Sequence, residues 1–167
     1  MEIEKKFLIR RLPEHLEQYS VRHIEQGYLC TDPVVRIRKS NDRYILTYKS
    51  QMGLEGQTEQ DVRVNQEVEV SLNQVGYEHL REKTDGCMIQ KDRYIIPLSD
   101  GHTGELDIFH GILEGLVFIE VEFADSEDAK AFIPPEWFGD NVSDDHRYSN
   151  SFLSTCKDLS AFSVKKC

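Results

Sequence analysis

Acidic and basic residues recur at alternate positions along almost the whole chain: Glu2, Glu4 and Lys6, then Arg36/Arg38, Glu67/Glu69, Lys91/Arg93, Glu105/Asp107 and Glu120/Glu122. Carboxylate oxygens are the ligands that hard divalent cations prefer, and Lys and Arg are the side chains that hold phosphate oxygens. After the mixed first triplet the doublets segregate by sign, Arg36/Arg38 being purely basic and Glu120/Glu122 purely acidic. Carboxylates two residues apart on a strand stand roughly 7 Å apart at the backbone, so two Glu side chains can reach one ion, with help from a neighbouring strand. Basic strands beside them would keep those carboxylates ionised and would themselves hold an anion. Mg2+ or Mn2+ fits such an oxygen-rich set, which usually combines a few carboxylates with water and substrate phosphates.

Extended strands are the elements that position such pairs. The doublets are interleaved with apolar residues, among them Val35 and Ile37, Val68 and Val70, Leu106 and Ile108, and Ile119, Val121 and Phe123. Alternate side chains of a strand point to opposite faces, so each pair leaves from one face and its apolar neighbours from the other. Alternation of this kind is ordinarily the wet side of an antiparallel sheet. A wet face, however, mixes in Thr, Ser, Gln and Asn, whereas these positions are predominantly Glu, Asp, Arg and Lys.

Eight segments read as strands by alternation and by Val, Ile, Tyr and Phe content: roughly Glu2–Ile9, Val21–Leu29, Val34–Ser40, Arg43–Ser50, Val62–Val70, Cys87–Leu98, Thr103–His110 and Leu116–Phe123. Asn41-Asp42 is short enough for a hairpin loop, and Ser99 to Gly101 and Gly111 to Gly115 mark further turns. The segment Gln51 to Gln57, with two glycines and no apolar periodicity, reads as a mobile loop. Short helices are expected over Pro13 to Tyr19, from a cap at Ser71, from a cap at Asp125 or Ser126 to Pro134-Pro135, and after Asp144-Asp145 through Phe152 and Leu153. Strands outnumber helices and the connections are short, which favours an antiparallel sheet. About eight strands suffice for a closed barrel whose interior holds side chains or one small ligand. The expected fold is α+β, mainly β: a closed eight-stranded antiparallel barrel with a charged interior and flanking helices, forming one domain over residues 1–167.

With 167 residues, 39% hydrophobic and 30% charged, the chain suits a globular domain with a real core. Its formal net charge of −10 argues against nucleic acid or anionic membrane as partners, since both need a positive footprint. Cys30, Cys87, Cys156 and Cys167 have no CxxC or zinc-type spacing, and no signal-peptide region or bilayer-length apolar run is present. Free thiols in the cytoplasm are expected. None of the six histidines shows ligand spacing, and there is no GxGxxG, GxxxxGK[ST] or nucleophile elbow. Trp137, within Pro135 to Gly139, reads as a structural residue, while the faces of Tyr28 and Arg63 are left open.

The ordered series Glu2/Glu4/Lys6, Arg36/Arg38, Lys49, Glu67/Glu69, Lys91/Arg93, Glu105/Asp107 and Glu120/Glu122 resembles the CYTH superfamily, the triphosphate tunnel metalloenzymes. Pro135-Glu136-Trp137-Phe138-Gly139 and Asp145 to Asn150 look like its compact bacterial members, so the resemblance covers nearly the whole chain. It implies an eight-stranded tunnel that binds a linear triphosphate with Mg2+ or Mn2+. Lys6, Arg36, Arg38, Lys49, Lys91, Arg93 and Arg147 would bind the substrate. Glu2, Glu4, Glu67, Glu69, Glu105, Asp107, Glu120 and Glu122 would hold metal, directly or through water, and Glu67, Glu69 and Lys6 would serve catalysis. The implied reaction is hydrolysis of inorganic triphosphate to diphosphate and phosphate, because no aromatic residue is evidently placed to stack a base or thiazole. The alternatives are a class IV-type adenylate cyclase, a thiamine or nucleoside triphosphatase, and a non-enzymatic binder of polyphosphate or nucleotide. The partner is then a small-molecule triphosphate, and a homodimer remains compatible with the pattern.

Overall fold

The computed structural model describes residues 1–54 and 63–162. Its strands are β1 (Glu2–Ile9), β2 (Ser20–Thr31), β3 (Val34–Ser40), β4 (Arg43–Ser50), β5 (Arg63–Leu72), β6 (Asp85–Pro97), β7 (Thr103–Phe109), β8 (Val117–Glu122) and β9 (Phe138–Asn141). Three helices accompany them, α1 (Gln74–Arg81), α2 (Ser126–Ala131) and α3 (Asn150–Leu153). The strands run β5-β4-β3-β2-β6-β7-β8-β1, and a further pairing of β1 with β5 closes the ring.

Closure depends on both edges of β1. Glu4 stands opposite Arg63 of β5 on one edge and opposite Glu122 of β8 on the other. Beyond the end of the β5 pairing, β9 occupies the same edge, with Phe7 opposite Asn141. The expected closed eight-stranded antiparallel barrel is therefore present, with a ninth strand added outside the closure. That ninth strand carries Gly139, Asp140 and Asn141, which are poor strand formers, and its pairing with β1 is what makes it extended.

Several boundaries differ from the sequence reading. The fifth strand begins at Arg63 among the described residues and continues to Leu72, so Ser71 lies in the sheet. The cap of α1 is instead Asn73, whose side chain accepts a hydrogen bond from the Gly76 N–H at 2.7 Å. Asp125 caps α2 as expected, accepting from the Asp128 N–H at 2.8 Å. Pro13 to Tyr19 yields only one 3-10 turn, Leu16–Gln18, and α2 stops at Ala131, before the two prolines. Asn41 adopts the left-handed conformation (φ 50°) that a tight β3–β4 hairpin asks of its loop. The Gln51 to Gln57 segment lies partly outside the described residues, as do Val62 and Cys167; Cys30, Cys87 and Cys156 are free thiols. Among the described residues no helix is long and apolar enough to cross a membrane.

Apolar packing sits in two places. Outside the barrel wall, Ile3, Phe7, Leu106, Ile119 and Val121 pack against Ala129 of α2, Phe132 and Phe138, and Trp137 rests on this cluster. Inside, Phe109 and Phe118 continue the inward rows that begin with Glu105/Asp107 and Glu120, and their rings lie 5.1 Å apart. They join Tyr28, Ile89, Tyr148 and Leu153 in a second cluster. The charged interior is thus bounded at one end by aromatic residues and by the C-terminal segment around α3.

Candidate active site

Strand parity brings the charged series into one cavity of about 1080 Å³ inside the barrel. Glu2, Glu4 and Lys6 enter it from β1, Arg36 and Arg38 from β3, and Lys49 from β4. Glu67 and Glu69 enter from β5, Arg93 from β6, Glu105 from β7, and Glu120 and Glu122 from β8. Their alternates Ile3 and Val121 are buried in the outer apolar cluster, at 4% and 0% exposure. The surface is charged on the inside and greasy on the outside, the reverse of an ordinary globular sheet face.

Most of these cations are paired with carboxylates of other strands. Lys49 Nζ lies 2.8 Å from Glu2 Oε2 and 3.7 Å from Glu67 Oε1. Burial opposes the charge on Lys49, and Glu4 and Glu2 outweigh it and hold the ammonium above its usual range. Lys6 lies 3.2 Å from Glu120 Oε1, donates to the Tyr148 carbonyl at 2.7 Å, and sits 4.6 Å above the Phe118 ring. Arg36 Nη2 donates to Thr47 Oγ1 at 3.1 Å, and that hydroxyl donates to Glu69 Oε1 at 3.3 Å. Arg36 Nε is buried without a hydrogen-bond partner.

Three expected residues do not line the cavity. Asp107 is fully buried, with Oδ1 accepting from Arg93 Nε at 2.7 Å and Oδ2 accepting from Lys91 Nζ at 2.6 Å and Arg93 Nη2 at 2.7 Å. Its oxygens are committed to these cations, so its position is that of a counter-ion behind Arg93. Lys91 is equally buried; besides Asp107 it meets Asn150 Oδ1 at 3.2 Å, and burial pushes its ammonium down to about 7 against the pull of Asp107. Arg147 bonds Asp145 through Nε at 2.9 Å and the Ala161 carbonyl through Nη1 at 3.0 Å, outside the cavity. The sequence pattern could not separate these from the others. Each has the right residue type, and the distinction comes from what each meets in the folded chain: Lys91 and Arg93 for Asp107, Asp107 and Asn150 for Lys91, and Asp145 for Arg147.

The structure also assigns the two faces that the sequence left open. Tyr28 lines the cavity at 2% exposure, bonded to Arg36 with Arg38 and Lys49 nearby; burial raises its hydroxyl and those cations pull against the rise. Arg63 lines it too, donating through Nη2 to the Ser143 carbonyl at 2.9 Å. Tyr28 has no charged neighbour two residues away, and Arg63 is followed at that spacing by the uncharged Asn65.

The chemistry of the acidic set fits a hard divalent cation. Burial holds Glu4 above the usual carboxylate range, and the charges of Glu120 and Glu2 add to it. Burial does the same to Glu122, with Glu2, Glu105 and Glu4 contributing. A bound cation would remove that repulsion, which is the condition for carboxylates to act as ligands at neutral pH. Glu120 differs: burial opposes its charge, but Lys6, Arg93 and Lys91 hold it well below the usual range. In this conformation no three His, Cys, Asp or Glu side chains among the described residues converge on one ion-sized point. The residues that would hold such an ion are Glu2, Glu4 and Glu122, with Glu105 beside them, all lining the cavity.

Comparison with known proteins is consistent with this geometry. No family model matches the chain. A protein of Nitrosomonas europaea named inorganic triphosphatase is 40% identical over 156 residues, covering 92% of this chain and 96% of the relative. One of Acetivibrio thermocellus with the same name is 36% identical, covering 91% and 92%. A crystal structure described as that of an inorganic triphosphatase superposes with a TM-score of 0.68 at 36% identity, covering 95% of this chain and 97% of the other.

Proposed function

The chain belongs to the family of these inorganic triphosphatases, and from that premise we propose that it hydrolyses inorganic triphosphate to diphosphate and phosphate inside the barrel, with a divalent metal. The observation that carries the reading is a single cavity walled by Lys6, Arg36, Arg38, Lys49 and Arg93 together with Glu2, Glu4, Glu120 and Glu122. A bare anion needs no such acidic wall, whereas a metal-complexed polyphosphate needs both signs. Membership of the wider CYTH group of triphosphate tunnel metalloenzymes, and a cytoplasmic setting for the free thiols Cys30, Cys87 and Cys156, belong to the same proposal.

Mg2+ or Mn2+ held by Glu2, Glu4 and Glu122 would neutralise phosphate charge and polarise the phosphoryl group. The chain's own residues then do three things. Arg36, Arg38 and Arg93 hold the non-reacting oxygens and keep the triphosphate extended along the barrel axis. Lys6 and Lys49 sit among the carboxylates and stabilise the charge that develops as the terminal phosphoryl group separates. Glu67 and Glu69, on the strand beside Lys49 and Arg36, orient the attacking water and accept its proton. The aromatic residues at the closed end exclude bulk solvent from that side.

The test is a substrate panel with Mg2+ and with Mn2+, following phosphate, diphosphate and cyclic AMP. Inorganic triphosphate should show a higher kcat/KM than ATP or thiamine triphosphate, because every assigned contact is to phosphate or metal and none reads a base. An ATP value at or above that for inorganic triphosphate would overturn the substrate assignment. Cyclic AMP with diphosphate would select the cyclase reaction instead.

A further inference from the structure

We propose that Gln26 is a positioning residue that presents Arg38 to the substrate as an uncompensated cation. The inference rests on the triphosphatase reading and adds a residue to it. Gln26 on β2 stands directly opposite Arg38 on β3, and its side chain is fully buried. Its Oε1 accepts from Arg38 Nε at 2.8 Å, while its Nε2 is buried with no hydrogen-bond partner. Turning the amide over would set two donors face to face, so Arg38 dictates which end of Gln26 it meets. Leaving a buried amide donor unsatisfied is unfavourable, and each such exception requires a reason.

The reason lies in what the other cations have. Lys6 is paired with Glu120 at 3.2 Å, Arg36 with Glu69 at 3.7 Å, Lys49 with Glu2 at 2.8 Å, and Lys91 and Arg93 with Asp107 at 2.6 and 2.7 Å. Among the described residues Arg38 takes part in no ion pair. Burial and the charges of Arg36 and Arg93 push it down to about 9, so it stays charged at neutral pH in repulsive surroundings. A carboxylate at position 26 would answer that charge. An amide holds the guanidinium in place through Nε and leaves its positive charge, with both Nη groups, for an incoming anion. The neighbouring Arg36 Nε, on the same strand, is also without a hydrogen-bond partner.

Two variants test this, Gln26→Glu and Gln26→Leu, with circular dichroism and thermal midpoint confirming the fold. Both should raise KM for inorganic triphosphate by about tenfold or more while kcat changes less, since a charge-assisted contact to phosphate is weakened. Calorimetric titration of inorganic triphosphate in the presence of a metal chelator should show the same loss. Gln26→Glu keeps the volume and the acceptor, so a purely structural role would leave it like wild type. Wild-type KM and affinity in Gln26→Glu would overturn the proposal, and that variant decides alone if Gln26→Leu does not fold. In an Arg38→Ala background, Gln26→Glu should add less than about a factor of two, and a full independent effect there would also overturn it. A wild-type chain that neither binds nor cleaves triphosphate would sink the functional reading itself, a result distinguishable from the failure of Gln26 alone.

Discussion

Glu4 on β1 and Glu122 on β8 stand directly opposite each other across the strand pair, and both carboxyls are held above their usual range, with the Glu4 charge contributing to Glu122. Like charges placed opposite each other in a sheet are destabilising. Burial raises both carboxyls first and the neighbouring carboxylates add to it, so a cation bound beside them would relieve that repulsion.

Replacing either carboxylate by its amide should therefore separate function from folding. Glu4→Gln and Glu122→Gln should each lower kcat/KM for inorganic triphosphate by about 100-fold or more, the scale on which one preorganised transition-state contact is felt. A folded-state pKa raised above the unfolded value means that the ionised group opposes folding once pH exceeds that pKa. Metal-free Glu4→Gln should accordingly melt no lower than wild type at neutral pH. Added Mg2+ should raise the melting temperature of wild type more than that of Glu4→Gln. Full activity of either variant at limiting Mg2+ would contradict the assignment.

Arg38→Ala should behave differently. Its contact is to phosphate rather than metal, so KM for inorganic triphosphate should rise by about tenfold or more and stay high at saturating Mg2+. Recovery of the wild-type KM on adding metal would place Arg38 in the wrong role.

The buried Lys91–Asp107 pair predicts an asymmetry in stability. Asp107→Asn leaves the buried Lys91 without its counter-ion beside Arg93, which keeps Glu105 and Glu120, and should destabilise the fold by about 3–5 kcal/mol. Lys91→Met leaves Asp107 paired with Arg93 and should be milder, which urea denaturation of the two variants would measure.

Lys91 also predicts a pH dependence. Its folded-state pKa lies near 7, below the ordinary 10.5, so between those values the unfolded chain binds the extra proton. Stability contributed by this group should rise with pH across that window and be absent from Lys91→Met. Identical slopes for the two proteins between pH 7 and 10 would rule this out.

Arg147→Ala should leave kcat/KM within about a factor of two of wild type, because its guanidinium is committed to Asp145 and lies outside the cavity. A drop comparable with that of Arg38→Ala would return it to the substrate-binding set.

Much of this protein is legible one strand at a time. Alternation is a local property, so Arg36 and Arg38, or Glu120 and Glu122, must share a face once their segments are extended, and their apolar neighbours must share the other. Residue type then names the chemistry, metal or phosphate, before any fold is known. What alternation cannot determine is which charges answer one another, because that depends on register between strands far apart in the chain. Arg38 meets Gln26 rather than a carboxylate, and Arg93 and Lys91 share Asp107, only through the pairings β2–β3 and β6–β7. Depth is likewise a tertiary property: Lys91 and Asp107 carry the same pattern as Arg93 and Glu105, yet they lie buried beneath the cavity where Asn150 and Tyr148 of the C-terminal segment close the barrel. The short ninth strand, with glycine and polar residues in place of an alternating pattern, owes its existence to the edge of β1 that β5 leaves open. Local sequence determines what each side chain can do; cross-strand register and burial decide which of them remain free to do it.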